Sequence, residues 1–391
     1  MRSLLVLFLL SLFISIHSFG QKKIKTYYSD KSVKEIFEGK ASKKDTIYNG
    51  SYEIYYENGK LWQKGQFKDN LLDGFWLDYF EDGKIKQELT YVKGNLEGIS
   101  KTYYNNGKIN QIQAYKNNLL HGKLEIYYTN GILMEESEYY MGILHGKSAS
   151  YFEDGYKRVE RFFIEGLENG DYIEYFENHN IKEKSCKKKG KYDGFFVGYY
   201  KEFKDSTVKH ECNYANGNIE GEFKGYYPSG NIMLNCNYVN NIIEGEYRLY
   251  HDYKNVILID SLYLKEIGIY NNFKKVGLWK SYYQNGKLHT IGNFVNALYE
   301  GEWLVYFEDG TLKQKGSYKN GLENGLWINY YKSGKLNFEG NYIDGKRVGN
   351  WKWYYETSKI WKDCSYENGE LIYPFNFYDE KGNLNFIYSE E

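Results

Sequence analysis

The sequence predicts an all-β protein, an elongated solenoid or meander of tandem 24-residue β-hairpin repeats. Composition is the first reason: 391 residues include 45 Tyr and 40 Gly but only 2 Pro. Aromatic residues favour strands and glycine favours turns. The second reason is periodicity, because glycines recur every 24 residues with only two interruptions. Self-similarity at a fixed period indicates a repeat architecture.

Residues 1–20 have the features of a secretory signal peptide. Arg2 precedes an apolar run over residues 4–16, and the small residues Ser18 and Gly20 follow it. As a helix this run spans about 20 Å, which is short of a hydrocarbon core of about 30 Å. We expect cleavage before Gln21, no transmembrane segment, and a secreted or periplasmic protein. The net charge of −1 predicts no nucleic-acid partner.

Thirteen repeats occupy residues 50–372 in one register. The glycine that begins each repeat is slot 1: Gly50, Gly74, Gly98, Gly122, Gly146, Gly170, Gly194, Gly221, Gly245, Gly277, Gly301, Gly325 and Gly349. Residues 21–49 are interpreted as an N-terminal cap or degenerate repeat, and residues 373–391 as a C-terminal half-repeat cap. Insertions lie near 202–208 and 252–273, and we expect them to break the regular stacking.

Two turns divide each repeat into a hairpin and a connection. Slots 9 and 10 are Asn-Gly or Asp-Gly in many repeats, as at Asp309 and Gly310, which predicts a two-residue type I′ turn. A second polar turn falls at slots 20 and 21, as at Asn320 and Gly321. A single hairpin is marginal in water, so each repeat must stack on its neighbours.

A turn at slots 9 and 10 pairs residues whose slot numbers sum to 19. Slot 3 then faces slot 16, slot 1 faces slot 18, and slot 7 faces slot 12. Side-chain alternation places slots 1, 3, 7, 12, 16 and 18 on one face, which we interpret as the core. Large rings such as Trp303 and Tyr318 are expected to lie over the glycines opposite them, Gly316 and Gly301.

Slot 6 is tyrosine in every repeat and is assigned to the other, more polar face. One interpretation is structural, with rings stacked along the array and hydroxyls bound to neighbouring backbone. The other is a contact strip for a partner, since tyrosine buries much apolar area while losing few rotors. We take these residues as the candidate binding site: Tyr55, Tyr79, Tyr103, Tyr127, Tyr151, Tyr175, Tyr199, Tyr226, Tyr250, Tyr282, Tyr306, Tyr330 and Tyr354.

Residues 301–312 read Gly-Glu-Trp-Leu-Val-Tyr-Phe-Glu-Asp-Gly-Thr-Leu, and residues 277–288 repeat the pattern. This motif resembles the MORN repeat, in particular the bacterial variant often labelled antitoxin-like. The resemblance covers residues 50–388. It implies a stack of β-hairpins used for protein contact, scaffolding or lipid contact.

No arrangement of reactive side chains predicts catalysis, so we expect no enzyme, no cofactor and no metal. Equivalent strands of successive repeats lie about 9.6 Å apart, so His121 and His145, which share a slot, are too distant to share a zinc ion. The same spacing predicts no disulfide among the four cysteines, three of which occupy slot 16: Cys212, Cys236 and Cys364. Cys186 lies beside three lysines, whose charge favours a lowered thiol pKa and makes it the best candidate for a reactive thiol. The alternative, which is the commoner case, is an unreactive free cysteine at the surface.

Three functions remain open. The leading hypothesis is a non-catalytic scaffold that binds a protein or another component of the cell envelope. The first alternative is a glycan-binding or cell-wall-binding module in which slot-6 tyrosines stack on sugars. The second is toxin neutralisation, which the antitoxin-like label of the resemblance implies.

Overall fold

The structure, a computed structural model, describes residues 22–41, 45–202, 207–253 and 263–389. The segment interpreted as a signal peptide lies outside these residues. The chain divides into two compact units, Met1–Lys157 and Arg158–Glu391. Every regular element in the described ranges is a β-strand, so the all-β prediction is confirmed. These ranges also contain no helix that is long and apolar enough to cross a membrane.

The first unit is an antiparallel meander of strands β1 to β12. Their bounds are β1 Lys22–Tyr27, β2 Val33–Ala41, β3 Thr46–Tyr55, β4 Leu61–Lys68, β5 Leu71–Tyr79, β6 Ile85–Val92, β7 Asn95–Leu96, β8 Gly98–Tyr103, β9 Ile109–Lys116, β10 Leu119–Tyr127, β11 Leu133–Tyr140 and β12 Ile143–Tyr151. The hairpin β1–β2 precedes the first regular repeat.

The second unit continues the same pattern from β13, which begins at the unit boundary, to β32. The bounds are β13 Lys157–Ile164, β14 Leu167–Tyr175, β15 Ile181–Lys188, β16 Lys191–Tyr199, β17 Val208–Ala215, β18 Asn218–Tyr226, β19 Ile232–Val239, β20 Ile242–Tyr250, β21 Leu264–Asn271, β22 Lys274–Tyr282, β23 Leu288–Val295, β24 Leu298–Tyr306, β25 Leu312–Lys319, β26 Leu322–Glu323, β27 Gly325–Tyr330, β28 Leu336–Ile343, β29 Lys346–Tyr354, β30 Ile360–Glu367, β31 Glu370–Tyr378 and β32 Leu384–Tyr388.

Pairing within a hairpin follows the predicted register over most of its length. In the repeat that begins at Gly349, Trp351 faces Cys364 and Gly349 faces Tyr366. The register shifts next to the turn, where slot-6 Tyr354 pairs with slot-12 Ile360. The predicted pairing of slot 7 with slot 12 is therefore wrong.

The cause of this shift is the first turn, which is not type I′. In the eleventh repeat the Phe307 amide donates to Thr311 O at 2.8 Å, and the Gly310 amide donates to Phe307 O at 2.9 Å. Gly310 has φ of 90° whereas Asp309 does not have a positive φ. This is a type I turn followed by a glycine bulge. The type I′ geometry occurs instead at the second turn, where Asn320 and Gly321 have φ of 51° and 84°.

Among the described residues, two repeats place a residue with a β-carbon at the bulge position. His179 and Ser358 both have φ of 69° there. Left-handed backbone costs a non-glycine residue about 1–2 kcal/mol, partly offset by the greater freedom of glycine in the unfolded chain. We expect Ser358→Gly to raise the free energy of unfolding by about 0.5–1 kcal/mol in urea denaturation. Gly310→Ser is the matched control and should lower it by a similar amount; a neutral or destabilising Ser358→Gly would contradict the turn assignment.

The slot-16 glycines make room for tryptophan rings. Gly316 pairs with Trp303 in its own hairpin, but the ring that lies over it is Trp327 of the next repeat. A β-carbon on Gly316 would lie 2.2 Å from Trp327 Cδ2. Trp327 is 5% exposed and its indole donates to Ser317 O at 3.2 Å. The core thus extends from this repeat to the next, and the same contact joins Gly65 to Trp76, Gly268 to Trp279, Gly292 to Trp303 and Gly340 to Trp351.

The slot-1 glycines have a different explanation from the one expected. Gly301 pairs with Tyr318, but no atom lies within 4 Å of the position its β-carbon would occupy. No ring covers it. Its φ of 69° favours glycine. Gly301 lies where the pairing register between β23 and β24 shifts.

The insertions do not interrupt the ladder on either side of them. Tyr199 pairs with Val208 and Tyr250 with Leu264, which is the usual pairing of slot 6 with slot 12. The His251 amide still donates to the residue that precedes the second strand, Tyr263 O, at 2.9 Å. The strands on either side of both insertions therefore keep the regular pairing, and the expectation of broken stacking is wrong for the described residues.

Candidate functional site: the tyrosine face

The slot-6 tyrosines all lie at the end of the first strand of their hairpins. Twelve of the thirteen are half-buried, and Tyr250 is 6% exposed. Their side chains share a face with slots 4 and 15, because alternate residues of a strand point to the same side. The predicted column is therefore present, but it is partly covered by its neighbours.

Most hydroxyls in this column donate to a carboxylate. The acceptor is usually the slot-15 residue of the preceding repeat: Tyr103 to Glu88 at 2.8 Å, Tyr151 to Glu136 at 2.5 Å, Tyr175 to Glu160 at 2.7 Å, Tyr226 to Glu211 at 2.6 Å and Tyr354 to Glu339 at 2.7 Å. Tyr55 and Tyr127 donate instead to Glu53 and Glu125, two residues earlier in their own strands. The bonds to slot-15 carboxylates connect one repeat to the next, whereas those of Tyr55 and Tyr127 lie within a single strand.

The tyrosine–carboxylate pairs change the acidity of the phenols. Burial, followed by the hydrogen bond to Glu88, raises the pKa of Tyr103 to about 12. Burial and the bond to Glu160 raise the pKa of Tyr175 to about 12 as well. The same causes raise the pKa of Tyr354 beside Glu339. A phenol held in this way is neutral at physiological pH, so it serves as a hydrogen-bond donor.

Slot 7, not slot 6, provides the bond to neighbouring backbone. All eight slot-7 tyrosines donate to the carbonyl oxygen of the slot-6 tyrosine in the next repeat; Tyr283 reaches Tyr306 O at 2.7 Å and Tyr331 reaches Tyr354 O at 2.7 Å. The other six are Tyr56, Tyr104, Tyr128, Tyr200, Tyr227 and Tyr355. Where slot 7 is His251, its Nε2 lies 3.1 Å from Tyr282 O. The assignment of this role to the slot-6 hydroxyls is therefore wrong.

Three consecutive slot-6 tyrosines have hydroxyls without a hydrogen-bond partner among the described residues: Tyr282, Tyr306 and Tyr330. Their preceding slot-15 residues are Ile267, Ile291 and Lys315, none of which accepts a hydrogen bond. Tyr79 and Tyr199 also lack a partner, but each is flanked by bonded tyrosines of the column. Only the run in β22, β24 and β27 is contiguous within the described part of the column.

A row of side chains crosses the sheet beside these three tyrosines. Direct cross-strand pairing connects Lys280 to Ile291, Ile291 to Leu304, Leu304 to Lys315, and Lys315 to Ile328. Cross-strand partners lie about 5 Å apart on one face, so these five side chains form a continuous surface. The residue type at slot 15 can be read from the sequence. Its effect on the slot-6 tyrosine becomes clear only from the structure, which shows that the two slots are in contact.

Cys186 is not an activated thiol. Its pKa is raised by burial, then by the charge of Asp171, to which Sγ donates at 3.7 Å. The lysines that follow it in sequence do not lower its pKa, so the expectation of a lowered value is wrong. Burial raises the pKa of Cys212 and of Cys236 to about 11. All four cysteines are free thiols in the structure.

We expect Cys212 and Cys236 to resist alkylation in the native protein at pH 8. A pKa raised from 9 to about 11 reduces the reactive thiolate about 100-fold, before steric protection is counted. Mass analysis of alkylated peptides checks this, with the urea-unfolded chain as the control. Rapid native labelling of Cys236, or a bridge between any two cysteines in fresh protein, would contradict the packing.

The histidines have structural contacts. His121 Nδ1 lies 3.4 Å from the Met141 amide, which donates to it at the second turn of the next repeat. The His210 ring stacks between Phe196 and Phe223, with centroids 5.3 Å and 5.8 Å away. In the part of the chain that is described, no group of three or more His, Cys, Asp or Glu is placed to hold a metal ion.

The chain matches the family model described as a MORN repeat variant nine times, at residues 48–69, 72–93, 96–117, 120–139, 219–240, 275–296, 299–320, 323–344 and 347–368. A comparison with curated proteins found no match. Among solved structures, the chain is similar to the TcdB2-TccC3-Cdc42 complex at 11% identity, covering 94% of this chain and 23% of that one, with a TM-score of 0.17. It is also similar to the Photorhabdus luminescens Tc holotoxin pore at 11% identity, covering 92% of this chain and 24% of that one, with a TM-score of 0.16.

The chain thus spans less than a quarter of each of these two matched chains. Superpositions with such TM-scores carry no argument about architecture or function. The nine repeat matches together cover half of the chain, and they coincide with hairpins whose turns and register are described above. The chain therefore belongs to the MORN-repeat family, as an array of the MORN repeat variant.

Proposed function

We propose that this protein is a non-catalytic scaffold that binds another protein outside the cytoplasm. MORN repeats are consistent with a repeat scaffold or binding role, and stacked repeats present extended contact surfaces. The observation that carries the proposal is the division of the tyrosine face. Most of the slot-6 hydroxyls donate hydrogen bonds to carboxylates of the repeat array. The hydroxyls of three consecutive tyrosines, Tyr282, Tyr306 and Tyr330, have no hydrogen-bond partner among the described residues.

The chemistry of the described side chains favours binding over catalysis. The carboxylates nearest the tyrosines accept hydrogen bonds from them, as Glu211 does from Tyr226. The best candidate nucleophile, Cys186, has a raised thiol pKa. His210, whose pKa is lowered mainly by burial, is stacked between two rings. None of these groups presents a nucleophile together with a base that could activate it.

The location rests on residues 1–20. Expression of the whole chain in a secreting bacterial host should yield a mature protein that begins near Gln21 in the extracytoplasmic fraction. N-terminal mass analysis reads this directly. Retention of residues 1–20 would contradict the proposed location and leave the binding role to be judged separately.

Binding is tested by immobilising the mature chain and passing over it the protein and glycan components of envelope extracts, separated beforehand. We expect saturable retention from the protein fraction that is abolished when the extract is pretreated with protease. Retention from the glycan fraction alone, unaffected by protease, would overturn the proposal.

A further inference from the structure

The tyrosine face changes its chemistry between β21 and β27. Slot 15 is acidic in six of the ten other repeats, and residues such as Glu136, Glu160 and Glu211 accept a hydrogen bond from a tyrosine of the next repeat. Here slot 15 supplies Ile267, Ile291 and Lys315. The tyrosine patch consists of Tyr282, Tyr306, Tyr330, Lys280, Ile291, Leu304, Lys315 and Ile328.

The patch is apolar at its centre and open at its side. Ile291, Leu304 and Ile328 are half-buried. Beside them on the same face, Leu278 is 48% exposed and Leu326 is 49% exposed. Leu278 and Leu326 lie two residues before Lys280 and Ile328 in their own strands, at the two ends of the row, and polar residues lie between the two leucines on the intervening strands. The half-buried aliphatic row and the leucines at its ends form an apolar surface of the kind that marks interaction sites. The three phenols add hydrogen-bond donors without an acceptor.

The charge of the patch is positive. Lys280 and Lys315 form no ion pair with a described residue, and both are half-buried against the aliphatic row. On slots 2, 4, 15 and 17 between β21 and β27, the described acidic side chain is the exposed Glu302. This surface therefore carries two half-buried lysines and one exposed carboxylate. Unpaired lysines of this kind favour an acidic partner.

The geometry points to the tyrosine patch as the docking site for an apolar segment of a partner protein that carries two carboxylates. Lys280 and Lys315 are three strand steps apart, which is about 14 Å. The carboxylates should therefore be about 14 Å apart, with apolar side chains between them that cover Ile291 and Leu304. The tyrosine hydroxyls would donate to the backbone carbonyls or the carboxylates of that segment. This inference rests on the proposed protein-binding function and locates the binding site on the tyrosine patch.

Aliphatic residues in the row favour a polypeptide over a glycan. Sugars stack on flat aromatic faces, whereas Ile291, Leu304 and Ile328 offer branched surfaces that complement apolar side chains. Membrane-binding basic surfaces attract anionic lipids through exposed charges. The lysines of the tyrosine patch are half-buried, so they differ from such a surface.

The test uses a displayed library of random 15-residue peptides selected on the whole mature chain, followed by affinity measurements with individual synthetic peptides. We expect enriched peptides to combine apolar residues with two Asp or Glu residues. Lys315→Glu and Leu326→Ser should each weaken their binding at least tenfold. The matched controls occupy the same slots elsewhere: Lys184→Glu for the charge and Phe75→Ser for the exposed apolar residue, and both should leave affinity unchanged. Melting temperatures of all four variants confirm that they are folded.

Three outcomes would overturn the inference. Peptides whose binding is unaffected by Lys315→Glu and Leu326→Ser would place the binding site elsewhere and leave the proposed function intact. Failure to enrich any peptide would exclude this docking mode, while the envelope-extract experiment would still decide whether the chain binds protein. Binding of phosphatidylglycerol vesicles that is lost in Lys315→Glu, without any enriched peptide, would assign the patch to a lipid surface.

Discussion

Replacing Trp351 by alanine should lower the free energy of unfolding by about 3–5 kcal/mol. Trp351 is 0% exposed, and its indole donates to Asn341 O at 3.2 Å. The ring lies over Gly340 of the preceding repeat, so its removal leaves a cavity between two repeats as well as an unpaired carbonyl. Urea denaturation followed by fluorescence and circular dichroism measures the loss.

The control for this prediction is Trp62, which is 44% exposed and stacks on Tyr56 at 5.6 Å. Trp62→Ala removes the same side chain from the surface, and we expect a loss below about 1 kcal/mol. Equal losses for the two variants would contradict the assignment of slot 3 to the core. A second core variant, Gly340→Ala, should also destabilise, because its β-carbon would lie 2.1 Å from Trp351 Cδ2.

The second large effect is unfolding at high pH. Burial is the first cause that raises the pKa of Tyr55, Tyr103, Tyr172 and Tyr175 to about 12, from an ordinary value of 10. When the pKa of a group is higher in the folded state than in the unfolded state, the group contributes its full stabilisation at pH values below the unfolded-state pKa. This contribution is lost as the pH rises through the folded-state pKa. These tyrosines therefore contribute undiminished stability below about pH 9, and lose it between pH 10 and 12.

Tyrosinate absorbance and circular dichroism, recorded together during an alkaline titration, measure this effect. We expect most phenols to ionise in a single steep step that coincides with loss of β-structure between pH 10 and 12. Tyr103→Phe removes one ionising group and should shift the midpoint upward slightly. Phenols that titrate independently near pH 10 while the circular dichroism stays constant would show that the column is solvated.

The sequence predicted the repeat, the all-β class and most of the register because the 24-residue period makes every repeat an independent copy of the same pattern. The pairing of Trp351 with Cys364 followed from side-chain alternation alone. The first turn could not be predicted in the same way. Asn-Gly and Asp-Gly occur both in type I′ turns and in type I turns with a glycine bulge, and the two differ by one residue of register.

That one residue changes the neighbours of slot 7. Without the bulge, slot 7 would lie opposite slot 12. With the bulge present, the Tyr283 ring lies 4.5 Å from His289 in slot 13, and its hydroxyl reaches the next repeat. The tyrosine patch was missed for a related reason. Its signal is a run of three consecutive slot-15 residues that cannot accept a hydrogen bond, Ile267, Ile291 and Lys315, and this run has meaning only once slots 6 and 15 are known to be in contact.

The slot-7 tyrosine hydroxyls join one repeat to the next, while we propose that the slot-6 hydroxyls of the tyrosine patch bind a partner. Two adjacent tyrosines test it with the same chemical change. Tyr331 donates to Tyr354 O at 2.7 Å, whereas the Tyr330 hydroxyl has no partner among the described residues.

The most direct measurement is therefore the free energy of unfolding of Tyr330→Phe and Tyr331→Phe, determined side by side by urea denaturation. We predict that Tyr331→Phe loses about 1 kcal/mol, the net value of a hydrogen bond to backbone. Tyr330→Phe should change stability by less than about 0.3 kcal/mol, as expected for a hydroxyl that bonds only to water. Equal losses, or a larger loss for Tyr330→Phe, would contradict the assignment of the slot-7 hydroxyls to contacts between repeats and of the Tyr330 hydroxyl to the binding surface.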